Sequence, residues 1–167
     1  MMYFDNAATT YPKPPQVARA VSSAVTRFGG NPGRGGHALS LKAAQMVYEC
    51  REKAAKLFGC EEAERVIFLK NCTEATNFAI KGYLAPNCHV VISDLEHNAV
   101  SRPVYALSQR LGVACSVAHV VEGDPDQTVR NFEREIRPGQ TSAIITTHAS
   151  NVFGVVVPVQ RLYALCE

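Results

Sequence analysis

Residues 71–74 (NCTE) combine an amide, a hydroxyl and a carboxylate directly after an apolar run, where a helical pattern begins. The first amides of a helix have no intrahelical acceptor, and the helix dipole is positive there, so a phosphate could bind at this point. The Thr73 hydroxyl could add a further donor. The alternative is that Thr73 is only the N-cap of the helix.

Two further polar segments carry side chains that suit a flat, oxygen-bearing ligand. In residues 94–98 (DLEHN), the His97 imidazole could stack on an aromatic ring or transfer protons. In residues 148–151 (HASN), the Asn151 amide could donate a hydrogen bond to a ligand oxygen. The alternatives are a solvated loop histidine and a turn asparagine.

The glycine-rich loop GGNPGRGG, over residues 29–36, lacks the residue order of a P-loop. It also follows a predicted helix instead of a strand, which excludes the dinucleotide-binding fingerprint. The loop is therefore either a flexible connection or a segment that brings Arg34 and His37 to a site.

Six cysteines, at positions 50, 60, 72, 88, 115 and 166, include no C-x-x-C pair. This spacing argues against a zinc site and against a thioredoxin-type redox site. We predict no metal site, and we expect the cysteines to be free thiols in the core.

Charge and hydropathy exclude several classes of protein. The 17 basic and 15 acidic residues of the 167-residue chain give no electrostatic case for binding nucleic acid or an anionic membrane. The N-terminus lacks the pattern of a secretory signal, and no apolar run is long enough to span a bilayer. These features predict a soluble cytoplasmic protein.

Helical and strand patterns alternate along the chain. Helices are predicted over residues 15–28, 41–58 with Ser40 as N-cap, 73–82, 100–111, 125–137 and from Pro158 onward; strands are predicted over 66–69, 89–93, 115–121 and 143–147. Such alternation predicts an α/β fold with a mostly parallel sheet and helices on both faces. Ligands of such sheets bind beyond the carboxyl ends of the strands, where the polar segments lie.

Five motifs, in order, resemble the class V aminotransferase superfamily: YFDNAATTYPKP, GGNPGRGGHALS, NCTEATNFAIKG, DLEHNAVSRP and THASNVFGVVVPV. The whole chain resembles the first part of a cysteine desulfurase-like enzyme that depends on pyridoxal 5′-phosphate (PLP). The resemblance implies the fold type I PLP-dependent transferase fold with an incomplete large domain. It divides the chain into an N-terminal segment with the glycine-rich loop, 1–40, and the first part of the large domain, 41–167.

The resemblance also implies the roles of individual residues. Thr73 and the amide of Glu74 correspond to the phosphate-binding turn, His97 to the catalytic histidine that stacks over the cofactor ring, and Asn151 to the asparagine that contacts the ring hydroxyl. A second group of residues corresponds to the substrate side of the family's site: Asn6, Ala7, Ala8, Arg34 and His37. In the family, the counterparts of Arg34 and His37 lie near the dimer interface.

The activity that the resemblance implies is conversion of L-cysteine to L-alanine, with transfer of sulfur to an enzyme cysteine as a persulfide. The implied partners are an amino-acid substrate, a second copy in a homodimer and a sulfur-acceptor protein, in the context of iron–sulfur cluster assembly. Another class V reaction, such as that of a selenocysteine lyase or an aminotransferase, is an alternative. A non-catalytic fragment that acts as a binding or dimerisation module is another.

Three functional residues of the family have no counterpart in this sequence, because their motifs would fall beyond Glu167. They are the aspartate that pairs with the cofactor nitrogen, the lysine that holds the cofactor and the persulfide cysteine. In the family, the first strand of the sheet lies next to the last, so we expect residues 66–69 to lack strand neighbours here. We also expect the chain alone to be poorly soluble or to depend on another chain.

Overall fold

The computed structural model describes residues 2–166. The chain forms two compact units, the first ending at Phe68 and the second beginning at Leu69. No helix in the described range is both long enough and apolar enough to cross a membrane.

The first unit contains two helices and a short 3₁₀ turn: α1 (Pro15–Arg27), α2 (Ala38–Phe58) and the turn Ala63–Arg65. Pro15 occupies the first position of α1, where a missing N–H costs nothing. Gly59 ends α2 in the left-handed conformation, with φ of 68°.

The prediction that Ser40 caps α2 is wrong. The N-cap is His37, whose Nδ1 accepts a hydrogen bond from the Ser40 amide at 3.4 Å. Ser40 lies inside the first turn, and its hydroxyl donates to the carbonyl of His37 at 2.9 Å. The helix begins earlier than predicted because the imidazole supplies the capping acceptor.

The predicted buried strand over residues 66–69 is also wrong. The backbone there is not part of any strand, and Ile67 and Phe68 are 63% and 49% exposed. The expectation that this segment lacks strand neighbours is confirmed, and it explains the outcome. An apolar run becomes a strand only when another strand pairs with it.

The second unit alternates helices with parallel strands. In chain order its elements are α3 (Cys72–Tyr83), β1 (His89–Ser93), α4 (Asn98–Leu111), β2 (Ala114–Ala118), α5 (Pro125–Glu135), β3 (Thr141–Ile145) and α6 (Val159–Tyr163). The sheet has the order β2-β1-β3, and both pairings are parallel. The prediction of an α/β fold with a parallel sheet is confirmed.

Pairing with β1 sets the length of the other two strands. Residues His89–Ser93 of β1 pair with Ala114–Ala118 of β2, and His89 pairs with Thr141 of β3. The sequence predicted β2 over 115–121 and β3 over 143–147, later at both ends. Those bounds are wrong because pairing, and not residue type, sets them: β2 pairs with β1 from Ala114 to Ala118, and β3 pairs with it from Thr141 to Ile145.

Helices cover both faces of this sheet, as predicted. On one face, Val90 and Ile92 of β1 pack in a cluster with Ile80 of α3 and Val104 of α4. On the other face, Val91 packs in a cluster with residues of α5 and α6 that include Phe132 and Leu162. All five residues of β1 are buried, as expected for the central strand of a sheet covered on both sides.

The six cysteines are free thiols, as predicted, but none is fully buried, and among them Cys88 packs against a core cluster. Cys50, Cys72, Cys115 and Cys166 are exposed, and the other two are partly buried. Two of the exposed thiols show why: Cys72 lies in the first turn of α3, and Cys115 lies on β2, at the edge of the described sheet.

Candidate functional site

The amino-terminal turns of α3 and α4 flank a cleft of about 530 Å³ in the second unit. Thr73 from α3 and His97 from the start of α4 both line it, so the structure brings these two predicted site residues together. Lys81 and Arg102, further along the two helices, line the same cleft. The cleft therefore combines two helix amino termini with two cationic side chains, a combination that favours an anionic ligand.

The first turn of α3 is held by two hydrogen bonds from backbone amides to side chains. The side-chain oxygen of Asn71 accepts from the amide of Glu74 at 2.9 Å, and the Glu74 carboxylate accepts from the amide of Lys70 at 2.8 Å. Asn71 is thus the N-cap, and the alternative that Thr73 is the cap is wrong. The Thr73 hydroxyl is therefore not used as the cap. The Glu74 amide already donates to the side-chain oxygen of Asn71.

Two amides at the start of α3 suit an anion better than that of Glu74. The amides of Cys72 and Thr73 have no carbonyl four residues back within the helix, as in the first turn of any helix. The Glu74 carboxylate turns back toward Lys70, whose Nζ lies 3.8 Å from Oε1. The amides of Cys72 and Thr73, together with the Thr73 hydroxyl, form a set of donors that fits a phosphate group.

His97 is the N-cap of α4, and its side chain is exposed. Its Nδ1 accepts a hydrogen bond from the amide of Ala99 at 3.0 Å. Because Nδ1 is the acceptor, the proton of the neutral ring is on Nε2. Helix α4 begins at Asn98, earlier than the predicted residue 100, because the imidazole again supplies the cap.

The side chain of Asn77 connects the two walls of the cleft. Its Nδ2 donates to the carbonyl of Thr73 at 3.0 Å, within α3, and to the carbonyl of Ala99 at 3.4 Å, within α4. Asn77 thereby joins the first turns of the two helices that carry Thr73 and His97.

Asn151 is not one of the residues that line the cleft. It lies in the turn after β3, which is closed by a hydrogen bond of 2.9 Å from the Ser150 amide to the Val155 carbonyl and by a bridge between Ala149 and Val156. The Glu96 carboxylate connects the loop after β1 to the start of this segment, because it accepts from the Thr147 amide at 2.7 Å.

The remaining predicted site residues belong to the first unit. The Asn6 side chain accepts from the Tyr11 amide at 3.1 Å, and the Ala8 amide donates to the Asp5 carbonyl at 3.1 Å, so residues 6–8 form a turn. Arg34 is exposed in the glycine-rich loop, and His37 caps α2. These residues and Ala7 belong to the first unit, whereas all the residues that line the cleft belong to the second.

Sequence reasoning missed Asn71, Asn77 and Glu96. The N-x-x-E spacing of Asn71 and Glu74 is a capping-box pattern and could have identified the cap. Asn77 lies four residues after Thr73, and therefore on the same face of α3. No sequence pattern points to Glu96, because the amide that it binds lies 51 residues further along the chain.

Metal binding has no support in the described residues. Among residues 2–166, no group of three or more His, Cys, Asp or Glu side chains is arranged to hold a metal ion.

Comparison with known proteins agrees with this fold and shows the family. The family model for class-V aminotransferases matches residues 2–167. A protein named "Probable cysteine desulfurase" from Mycolicibacterium paratuberculosis is 30% identical over 169 residues, which cover 99% of this chain and 24% of that protein. The chain spans from 24% to 41% of the length of the curated relatives that it matches.

Solved structures show the same architecture. The apo structure of cysteine desulfurase from Thermococcus onnurineus NA1 matches with a TM-score of 0.86 and 27% identity, over 98% of this chain and 40% of that one. A mutant of C-DES with glycine covalently linked to its PLP cofactor matches with a TM-score of 0.80 and 17% identity, over 98% of this chain and 42% of that one.

The fold is therefore that of the fold type I PLP-dependent enzymes, represented here by part of the large domain. The chain belongs to the class-V aminotransferase family.

Proposed function

We propose that this chain supplies the phosphate- and ring-binding part of a PLP-dependent cysteine desulfurase-like enzyme. The whole protein would convert L-cysteine to L-alanine and transfer the sulfur to the thiolate of an enzyme cysteine, which becomes a persulfide. The observation that carries this proposal is the cleft shared by Thr73 and His97 at the amino termini of α3 and α4. Similarity to cysteine desulfurases over 96% to 100% of the chain supports it.

The phosphate of PLP would bind at the start of α3. The Thr73 hydroxyl and the amides of Cys72 and Thr73 would donate to it, and Lys81 and Arg102 would add attraction from the cleft walls. The Glu74 amide donates to Asn71 Oδ1 in this structure. It would bind the phosphate only after that hydrogen bond is broken, because the amide has a single N–H.

The ring of PLP would lie against the imidazole of His97. The hydrogen bond from the Ala99 amide to Nδ1 fixes the ring orientation and keeps the proton of the neutral imidazole on Nε2. Asn151 would donate to the ring hydroxyl. When bound, PLP supplies an electron sink for the amino-acid substrate.

The first unit would contribute the substrate side of the site. We assign this role to Asn6, Ala7, Ala8, Arg34 and His37, and we retain the division into an N-terminal segment, 1–40, and a PLP-binding part, 41–167. The proposed setting is a homodimer in the cytoplasm that passes sulfur to an acceptor protein for iron–sulfur cluster assembly.

A binding experiment tests the site. The Kd for PLP is measured by fluorescence titration for the parent chain and for Thr73→Ala and His97→Ala. We expect each substitution to weaken binding by roughly tenfold, since each removes about 1–1.5 kcal/mol of interaction with the phosphate or the ring. Thr76→Ala on the same helix and His148→Ala on an exposed loop are the matched controls.

Equal affinity of both variants and the parent would show that the cleft is not the cofactor site. The reaction itself is measured on the whole protein as alanine released from L-cysteine in the presence of PLP and a thiol reductant. Absence of alanine formation by the PLP-loaded whole protein would rule out desulfurase activity while leaving the binding site intact.

A further inference from the structure

The three side chains proposed to contact PLP lie on separate segments of the second unit. Thr73 is in the first turn of α3, His97 is at the end of the loop after β1, and Asn151 is in the turn after β3. A ligand that contacts all three binds more tightly when their spacing is fixed beforehand, since loops that must be ordered on binding reduce affinity.

The loop after β1 is fixed by one oxygen atom of Glu96. This atom, Oε1, accepts a hydrogen bond of 2.7 Å from the Thr147 amide, and it also accepts from the hydroxyl of Ser93. Ser93 is the last residue of β1 and is 1% exposed, whereas Thr147 follows the last residue of β3 by two positions. Glu96 therefore joins the carboxyl ends of two neighbouring parallel strands.

The hydrogen bonds of Glu96 connect the two segments that carry His97 and Asn151. Glu96 directly precedes His97, and Thr147 lies four residues before Asn151. Hydrogen bonds to a carboxylate are about twice as strong as those between neutral groups, and Glu96 is half-buried, so the two bonds are only partly weakened by water.

We propose that Glu96 is a positioning residue that sets the spacing between His97 and Asn151 and so prepares the second unit to bind the ring of a planar, phosphorylated cofactor. Glu96 acts through the Thr147 amide and the Ser93 hydroxyl, without touching the ligand. The role in cofactor binding rests on the proposed function, whereas the bridge itself is a property of the chain.

The test compares Glu96→Ala, which removes the acceptor, with Glu96→Gln, which keeps an oxygen at the same place. Glu122→Ala, an exposed carboxylate in the loop after β2, is the matched control. Two quantities are measured on the full chain: the NMR shifts of the His97 ring and the Asn151 amide without cofactor, and the Kd for PLP.

We expect Glu96→Ala to shift both sets of resonances and to weaken PLP binding by about tenfold, whereas Glu96→Gln stays within about threefold of the parent. Rescue by glutamine is the result that a general loss of stability would not give. If Glu96→Ala does not give a folded chain, Glu96→Asp, which shortens the side chain by one methylene, replaces it with the same expected shifts.

Unchanged His97 and Asn151 resonances in the alanine variant would overturn the proposal, and so would equal defects in the alanine and glutamine variants. A parent chain that binds no PLP would instead count against the proposed function. In that case the resonances of the cofactor-free chain still decide whether Glu96 sets the spacing.

Discussion

The side-chain amide of Asn77 donates to the carbonyl of Ala99, with 3.4 Å between Nδ2 and the oxygen. This carbonyl is available because Pro103, four residues further along α4, has no N–H to pair with it. Proline inside a helix normally leaves such a carbonyl without a partner, and here the neighbouring helix supplies one. The contact joins α3 to α4 beside the cleft that Thr73 and His97 share.

A double-mutant cycle tests this relationship. We expect Asn77→Ala to lower the free energy of unfolding by about 1–2 kcal/mol, because it leaves the Ala99 carbonyl, on a residue only 7% exposed, without a donor. In a Pro103→Ala background the restored N–H pairs with that carbonyl. The cost of Asn77→Ala should then be smaller by about 1 kcal/mol, measured by urea unfolding. Equal costs in the two backgrounds would show that Asn77 does not compensate for Pro103. Asn98→Ala, a neighbouring asparagine substitution, is the control.

Asn71→Ala is expected to separate stability from phosphate binding. Loss of the N-cap should lower the free energy of unfolding by about 1 kcal/mol. The same change releases the Glu74 amide for a phosphate, so the affinity for PLP should be unchanged or higher. Asp124→Ala removes the corresponding cap of α5, where Oδ1 accepts from the Gln127 amide at 2.8 Å, and provides a control of similar cost away from the cleft. A weaker affinity in the Asn71 variant alone would mean that Asn71 itself contacts the ligand.

His89 is expected to make the stability depend on pH. Its ring is buried between Thr141 and Ser116, at 2.7 Å from Nδ1 to one hydroxyl and 3.1 Å from Nε2 to the other. Burial lowers the pKa of His89 from its usual 6.5, the positive charge of Arg137 lowers it further, and Glu135 opposes the change. Below pH 6.5 the unfolded chain takes up a proton that the folded chain binds less tightly, so stability falls as the pH falls.

Urea unfolding at about pH 5.5 and about pH 7.5 measures this effect. The loss of stability on acidification should be smaller in His89→Gln than in the parent, because glutamine does not titrate. His148→Gln, at an exposed loop position, should keep the loss seen in the parent. The same acid sensitivity in all three proteins would assign it to other groups.

The edge strand β3 is expected to promote self-association. Within the described residues it pairs with β1 alone, and an apolar groove lined by Ile80, Tyr83, Ala143 and Ile145 lies beside it. An unpaired strand edge is a template for another strand. We expect the chain to elute above monomer size in sizing with light scattering. This agrees with the expectation from the sequence that the chain alone is poorly soluble or depends on another chain.

A lysine on the strand should reduce this association. Ser142→Lys puts a charge on an exposed position of β3, whereas Gln109→Lys adds the same charge on α4. Only the first should shift the population toward monomer. A monomeric parent, or an equal response of the two variants, would mean that β3 does not mediate association.

Local patterns in the sequence were enough for the family and for the element types other than the strand predicted over 66–69. Pro15, Gly59 and the spacing of apolar residues are read within one turn or one strand, so α1, the end of α2 and the central strand β1 lie where predicted. The NCTE and DLEHN segments likewise placed Thr73 and His97 near helix starts, and parallel strand order predicted that such segments share one edge of a sheet.

Contacts between distant residues decided the rest. Residues 66–69 are apolar like β1, but they pair with no strand of the described sheet, whereas β1 pairs with two. The caps at His37, Asn71 and His97 depend on which of several nearby acceptors reaches an amide. The bridges from Asn77 to Ala99 and from Glu96 to Thr147 span 22 and 51 residues. The sequence alone determined which residues could bind an anion and a ring; packing of α3 and α4 on β1 determined which of them share a cleft, because a hydrogen bond between segments exists only after the sheet has brought them together.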